Sequence, residues 1–148
     1  MNIDRNLIIN RFKKMDELLK NLEEIKKYSE KEFQSNFLLY LSAQRALETC
    51  INICIDIGNH ILSLNKNGKP ETYSDIFGEL SKLNIITAEL EVKLIKMTKF
   101  RNLLGHLYMD INNEILYEIL QDNLNDFNLF KRHIISKFKE KLSNESKK

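Results

Sequence analysis

The chain has 148 residues, 43% of them hydrophobic and 30% charged, and a formal net charge of +2. That length suits one domain able to bury its own core without disulfides or metals, and the composition excludes a disordered chain. The small net charge excludes a protein that holds polyanions by bulk charge, so any nucleic-acid role must rest on a local patch.

Residues 3 to 28 are predicted to form an amphipathic helix. Ile3, Leu7, Ile8, Phe12, Met15, Leu18, Leu19, Leu22 and Ile25 recur at steps of three and four, with Lys and Glu on the other face. Ser29, followed by Glu32 three residues on, is a capping-box pattern for the next helix. That second segment is predicted to run unbroken from about residue 30 to 64. Between Cys50 and Ile57 it is apolar nearly all round, which places it at the centre of a bundle or in an oligomer interface. Cys50 and Cys54 are four apart inside this run; without two further ligands they make no zinc site, and they are expected as small buried hydrophobes. Asp56 lies in the same run, either orienting a basic group across a dimer or serving as a structural partner. Asn59 and His60 either line a cleft or close the helix.

The clear break is NKNGKPET, residues 65 to 72, where Gly68 and Pro70 mark a loop. Thr72 with Asp75 predicts a capped short helix over 73 to 82, with Tyr73 and Phe77 in the core. Asn84-Ile85-Ile86 is a connector. Thr87 caps a fourth helix with Leu90, Leu94, Met97 and Phe100 or Arg101 along one face, ending near Gly105. After Asn112 or Asn113 one last long helix is expected through Phe138, with His133 exposed and the final residues 143 to 148 frayed. No two-residue alternation appears, so no sheet is predicted. Four longer helices and a short one make an all-α, up-and-down bundle in a single domain, with a core of about residues 3 to 142. No apolar run approaches the roughly 18 residues of a membrane span. Residues 1 to 16 carry spaced charges, unlike a signal peptide, so a cytoplasmic location is expected.

The chemistry-bearing stretch is KLIKMTKFRNLLGHLY, residues 93 to 108. Between Val92 and His106 there are four cations, Lys93, Lys96, Lys99 and Arg101, and no acid. The three lysines recur every third residue, a rough stripe of positive charge. Such a stretch holds what RNA cleavage without a metal or other cofactor needs. An imidazole titrating at about 6.5 can take and give protons at cellular pH. A guanidinium that stays charged can hold phosphoryl oxygens through two parallel hydrogen bonds. The spacing by itself also fits a histidine placed at a helix C-terminus for its favourable dipole. On an ideal helix Arg101 and His106 lie about 140° apart, whereas Asn102 and His106 share a face. Gly105 offers a place to bend. One chain supplies only one such histidine, so acid and base steps are more easily shared across a two-fold dimer with the cleft on its seam.

The string from Phe100 to Tyr108 resembles the R-x4-H-x-Y signature of the HepT-like proteins, a branch of the HEPN superfamily. The stretch from Arg45 to Leu62 is similar to the family's second-helix pattern, as is the Pro70, Tyr73, Phe77, Leu80 spacing, so the likeness covers about residues 36 to 135. The resemblance implies a helical homodimer and metal-independent RNA cleavage by Arg101 and His106. It implies Asn102 as the supporting polar residue, and Lys96 and Lys99 fall to RNA contact. It also implies a partner, a minimal nucleotidyltransferase antitoxin of the MntA type, which silences the toxin by transferring AMP to Tyr108. The alternative it leaves is a non-catalytic HEPN subunit that binds substrate for a nucleotidyltransferase. Gly105 departs from the pattern, since a branched apolar residue more often precedes the histidine.

Overall fold

The computed structural model describes residues 3–65, 70–104 and 113–143. They fold into helices α1 (Arg5–Lys26), α2 (Glu30–Ser35), α3 (Phe37–Ser63), α4 (Tyr73–Lys82), α5 (Ala88–Leu104), α6 (Asn113–Asp122), α7 (Asn125–Lys137) and α8 (Lys139–Ser143). No strand occurs among the described residues, and none of their helices is long and apolar enough to cross a membrane.

Side chains start these helices by satisfying the free N–H groups of the first turn. Asp4 Oδ1 accepts from Leu7 N at 3.1 Å. Ser29 with Glu32, and Thr72 with Asp75, form complete capping boxes. Thr87 Oγ1 accepts from Leu90 N at 3.1 Å. The connector after α4 is a Schellman turn. Ile85 N donates to Leu80 O and Asn84 N to Ser81 O, both at 2.9 Å, while Asn84 takes φ 59°, a left-handed conformation asparagine tolerates.

Two of the predicted long helices are interrupted. The segment expected to run from 30 to 64 breaks at Asn36, whose extended backbone ends α2. Its side-chain oxygen accepts from both Leu38 N and Leu39 N and so caps α3. The last helix is divided into α6, α7 and α8. At the first division Asn123 Nδ2 donates to Asp126 Oδ2 at 3.2 Å and Asp126 N to Asn123 O at 3.1 Å. These local bonds compete with helix continuation.

One hydrophobic cluster runs through every helix. α3 lies against α1, α4 and α5. Phe130 of α7 is fully buried and meets Phe12 of α1 and Phe77 of α4 edge-on, with ring centroids 6.3 and 6.2 Å apart. α6 covers the end of α1, where Tyr117 Oη donates to Tyr28 O at 2.8 Å and Gln121 Nε2 to Lys26 O at 3.0 Å. α3 and α4 approach closely at Gly58, where an added Cβ would lie 2.6 Å from Ile76 Cγ2. The start of α3 is different: Phe37 and Leu38 are 69% and 77% exposed.

Candidate active site around Arg101

Arg101 is near the end of α5, about 20° round the helix from Leu90 and Leu94, so it is on the face turned into the bundle. Its Nε donates to Asn52 Oδ1 of α3 at 2.7 Å. Its guanidinium carbon lies 5.1 Å from the centroid of the Tyr73 ring, at the first turn of α4. Arg101 and Asn52 are half-buried. Among the described residues no carboxylate is within ion-pair range of Arg101, and its two terminal amino groups have no partner. A partly desolvated guanidinium held, among the described residues, by a neutral oxygen and an aromatic ring offers two parallel donors to an anion.

Asn52 and Tyr73 were not singled out by sequence as partners of Arg101, being 49 and 28 positions away in the chain. Tyr73 was expected in the core; it is 44% exposed and carries the arginine, while Phe77 is buried as expected.

The lysine stripe divides. Lys93 is half-buried and faces two carboxylates, the buried Asp126 at 3.8 Å and Glu89 at 3.6 Å, so its charge is largely taken up within the fold. Lys96 and Lys99 are exposed and make no ion pair with a described residue. They lie on the solvent side of α5 with Val92 and Leu103, about 140° and 160° round from Arg101. Asn102 is exposed, about 100° from Arg101. Gly105, His106 and Tyr108 lie outside the described residues.

The other candidates have structural partners. Asp56 is exposed and meets Arg11 Nε of α1 at 3.4 Å, within the same chain. His60 Nε2 accepts from Asp4 N at 2.9 Å and so ties the end of α3 to the start of α1, while Asn59 is exposed. His133 was expected exposed and is half-buried. Cys50 and Cys54 are buried free thiols. Burial pushes Cys50 up to about 12 from its ordinary 9.0, and burial, with the neighbouring Cys50 second, pushes Cys54 well above the same value.

An all-α bundle that holds the arginine of an R-x4-H-x-Y string by a neutral amide and an aromatic ring defines a protein of the HEPN class. Residues 15–134 match the model of the family described as Ribonuclease HepT-like, and the chain belongs to that family. It is 32% identical over 126 residues to the mRNA nuclease HepT of Shewanella oneidensis, covering 84% of this chain and 93% of that one. It is 32% identical over 135 residues to the tRNA nuclease HepT of Aphanizomenon flos-aquae, covering 91% and 92%. The fold matches a solved structure of the tri-AMPylated Shewanella oneidensis HEPN toxin in complex with MNT antitoxin, with TM-score 0.82, 32% identity, and coverage of 92% of this chain and 99% of that one.

Proposed function

We propose that this chain is the toxin of a toxin–antitoxin pair, a metal-independent endoribonuclease acting as one HEPN domain in a cytoplasmic homodimer. An MntA-like nucleotidyltransferase would neutralise it by transferring AMP to Tyr108. The observation that carries this reading is the guanidinium of Arg101, held by Asn52 and Tyr73 with its terminal amino groups unpaired among the described residues. Family membership and the nuclease relatives support it.

In this reading Arg101 holds the non-bridging oxygens of the scissile phosphate and stabilises the charge that builds as the bond changes. The ribose 2′-oxygen gives its proton to an imidazole, His106, and attacks the adjacent phosphorus. The P–O5′ bond breaks, the 5′-oxygen takes a proton from the second His106 across the dimer, and a 2′,3′-cyclic phosphate remains. Asn102, exposed beside Arg101 near the end of α5, supports the reacting groups or contacts the RNA. Lys96 and Lys99, on the far side of that helix, attract flanking phosphates rather than touch the scissile one. Leu38 and Leu41 share a stripe of α3 with Asn52, and their exposure supports a second copy covering that stripe and closing the cleft. AMP added at Tyr108 would bring negative charge to the place the RNA backbone must occupy.

Expression of this chain without a nucleotidyltransferase should arrest growth with RNA decay. The purified protein should cut RNA in the presence of a chelator. Arg101→Ala and His106→Ala should each lower cleavage by about a hundred-fold or more while the helical signal and melting temperature stay near the parent's. Either variant cutting RNA at the parental rate removes that residue from the mechanism.

A further inference from the structure

We propose that Asn52 and Tyr73 are positioning residues that hold Arg101 as a receptor for a phosphodiester oxygen pair. The inference rests on the reading of Arg101 as the phosphate-holding group.

An arginine side chain carries substantial rotamer freedom, which a loose arginine loses each time it engages an anion. Here that freedom is removed in the folded state. The Nε–H is spent on Asn52 Oδ1 at 2.7 Å, a short charge-assisted bond. The guanidinium carbon lies over the Tyr73 ring, 5.1 Å from its centroid. The bond in the guanidinium plane fixes the direction of the fork, and the ring holds the guanidinium carbon from one side. Rotation about the last side-chain bond would break both contacts. The terminal amino groups therefore project from a plane set by α3 and α4, although the residue belongs to α5.

Both of these partners, the ones among the described residues, are neutral, and this distinguishes the arrangement from a structural salt bridge. A carboxylate at position 52 would hold the Nε–H as well, but it would cancel the charge that a phosphate needs to meet. Of the two acids one turn from Asn52 along α3, Glu48 is turned to Arg45 at 4.0 Å. Within the nearly all-apolar run from Cys50 to Ile57, Asn52 and Asp56 are the only polar side chains. Asp56 faces Arg11, while Asn52 faces Arg101.

The test uses the purified full chain and a fluorescent oligoribonucleotide. Asn52→Ala keeps the charge and loses the placement, so kcat should fall about ten- to a hundred-fold. Asn52→Asp keeps the placement and loses the net charge, so KM should rise and the dependence of KM on salt should flatten. Tyr73→Leu should lower kcat, whereas Tyr73→Phe, which keeps the ring face, should restore cleavage to within about two-fold of the parent. Nitrogen NMR adds a readout that a merely structural role would not move. The Arg101 Nε–H resonance should be shielded from water exchange in the parent and in Tyr73→Phe, and exposed to it in Asn52→Ala. Arg101→Ala inactive, with Asn52→Ala and Tyr73→Leu at parental rates or an unchanged Nε–H resonance, overturns the positioning role alone. Arg101→Ala cutting like the parent overturns the underlying reading, and this one with it.

Discussion

Two glycine-to-alanine changes, made separately, should move stability in opposite directions, and the difference follows from where α3 and α4 touch. A Cβ on Gly58 would lie 2.6 Å from Ile76 Cγ2 and 3.2 Å from Leu80 Cδ1, against an ordinary carbon separation of about 3.5 to 4.0 Å. Ile76 and Leu80 are 3% and 0% exposed, so neither can turn outward. The Ile76 methyl branches directly from its Cβ, and a helical isoleucine has essentially one χ1 state, so α4 itself must move. Overpacking of this kind costs about 1 to 3 kcal/mol, against a helix-propensity gain of about 1 kcal/mol for alanine over glycine. Gly58→Ala should therefore destabilise by about 1 kcal/mol and lower the melting temperature by about 2 to 4 °C in a chain of this length. A Cβ on Gly78, within α4, would meet only Glu91 Oε2 at 3.8 Å, an ordinary contact. Gly78→Ala should keep the propensity gain and raise the melting temperature. Because α4 carries Tyr73, the Gly58 variant should also lose RNA cleavage beyond its loss of stability, measured well below its melting temperature. Thermal melts followed by circular dichroism, with cleavage rates at a low temperature, test the pair. Gly58→Ala melting as high as Gly78→Ala would refute the packing argument.

Lys93→Met should destabilise by about 1 to 2 kcal/mol in urea unfolding, because among the described residues it leaves the buried Asp126 carboxylate with only the Asn123 side chain as partner; the partial exposure of Lys93 keeps the loss below that of a fully buried pair. Lys99→Met, on the solvent face, should change stability by no more than about 0.5 kcal/mol. The two thiols should resist alkylation in the folded protein at pH 8 and react fully once it is denatured; rapid labelling of native protein would contradict their burial. Since folding raises both thiol pKa values above the ordinary 9.0, the folded protein holds protons the unfolded chain gives up. Their contribution is intact below pH 9 and is lost as pH climbs towards 12, by about 1.4 kcal/mol per unit per thiol, so a Cys50→Ala/Cys54→Ala variant should show a shallower alkaline decline.

The helical class, the capping residues and most of the core could be read from periodicity because each is a local property. Ser29 with Glu32 and Thr72 with Asp75 announce helix starts within four residues, and the structure contains both. The breaks at Asn36 and Asn123 were not foreseen because the apolar period continues across them; what ends the helix is a short side chain bonding to its own backbone neighbourhood, which a pattern of hydrophobicity does not register. Arg101 stood out by its spacing, but the groups that orient it come from other helices, and no one-dimensional period links Asn52, Tyr73 and Arg101. The lysines misled in a different way. A three-residue step drifts round a helix by about 60° each time. The drift carries Lys93 towards Asp126 and leaves Lys96 and Lys99 facing water.

Because the arginine is braced by two helices other than its own, its signature cannot be transplanted as a short string of letters. A synthetic peptide copying residues 88 to 108 would contain the guanidinium, the imidazole and the phenol, yet its arginine would swing freely with neither the amide of Asn52 nor the ring of Tyr73 to stop it. Engineering this chemistry into a new scaffold would require importing the crossing of three rods, not the sequence of one.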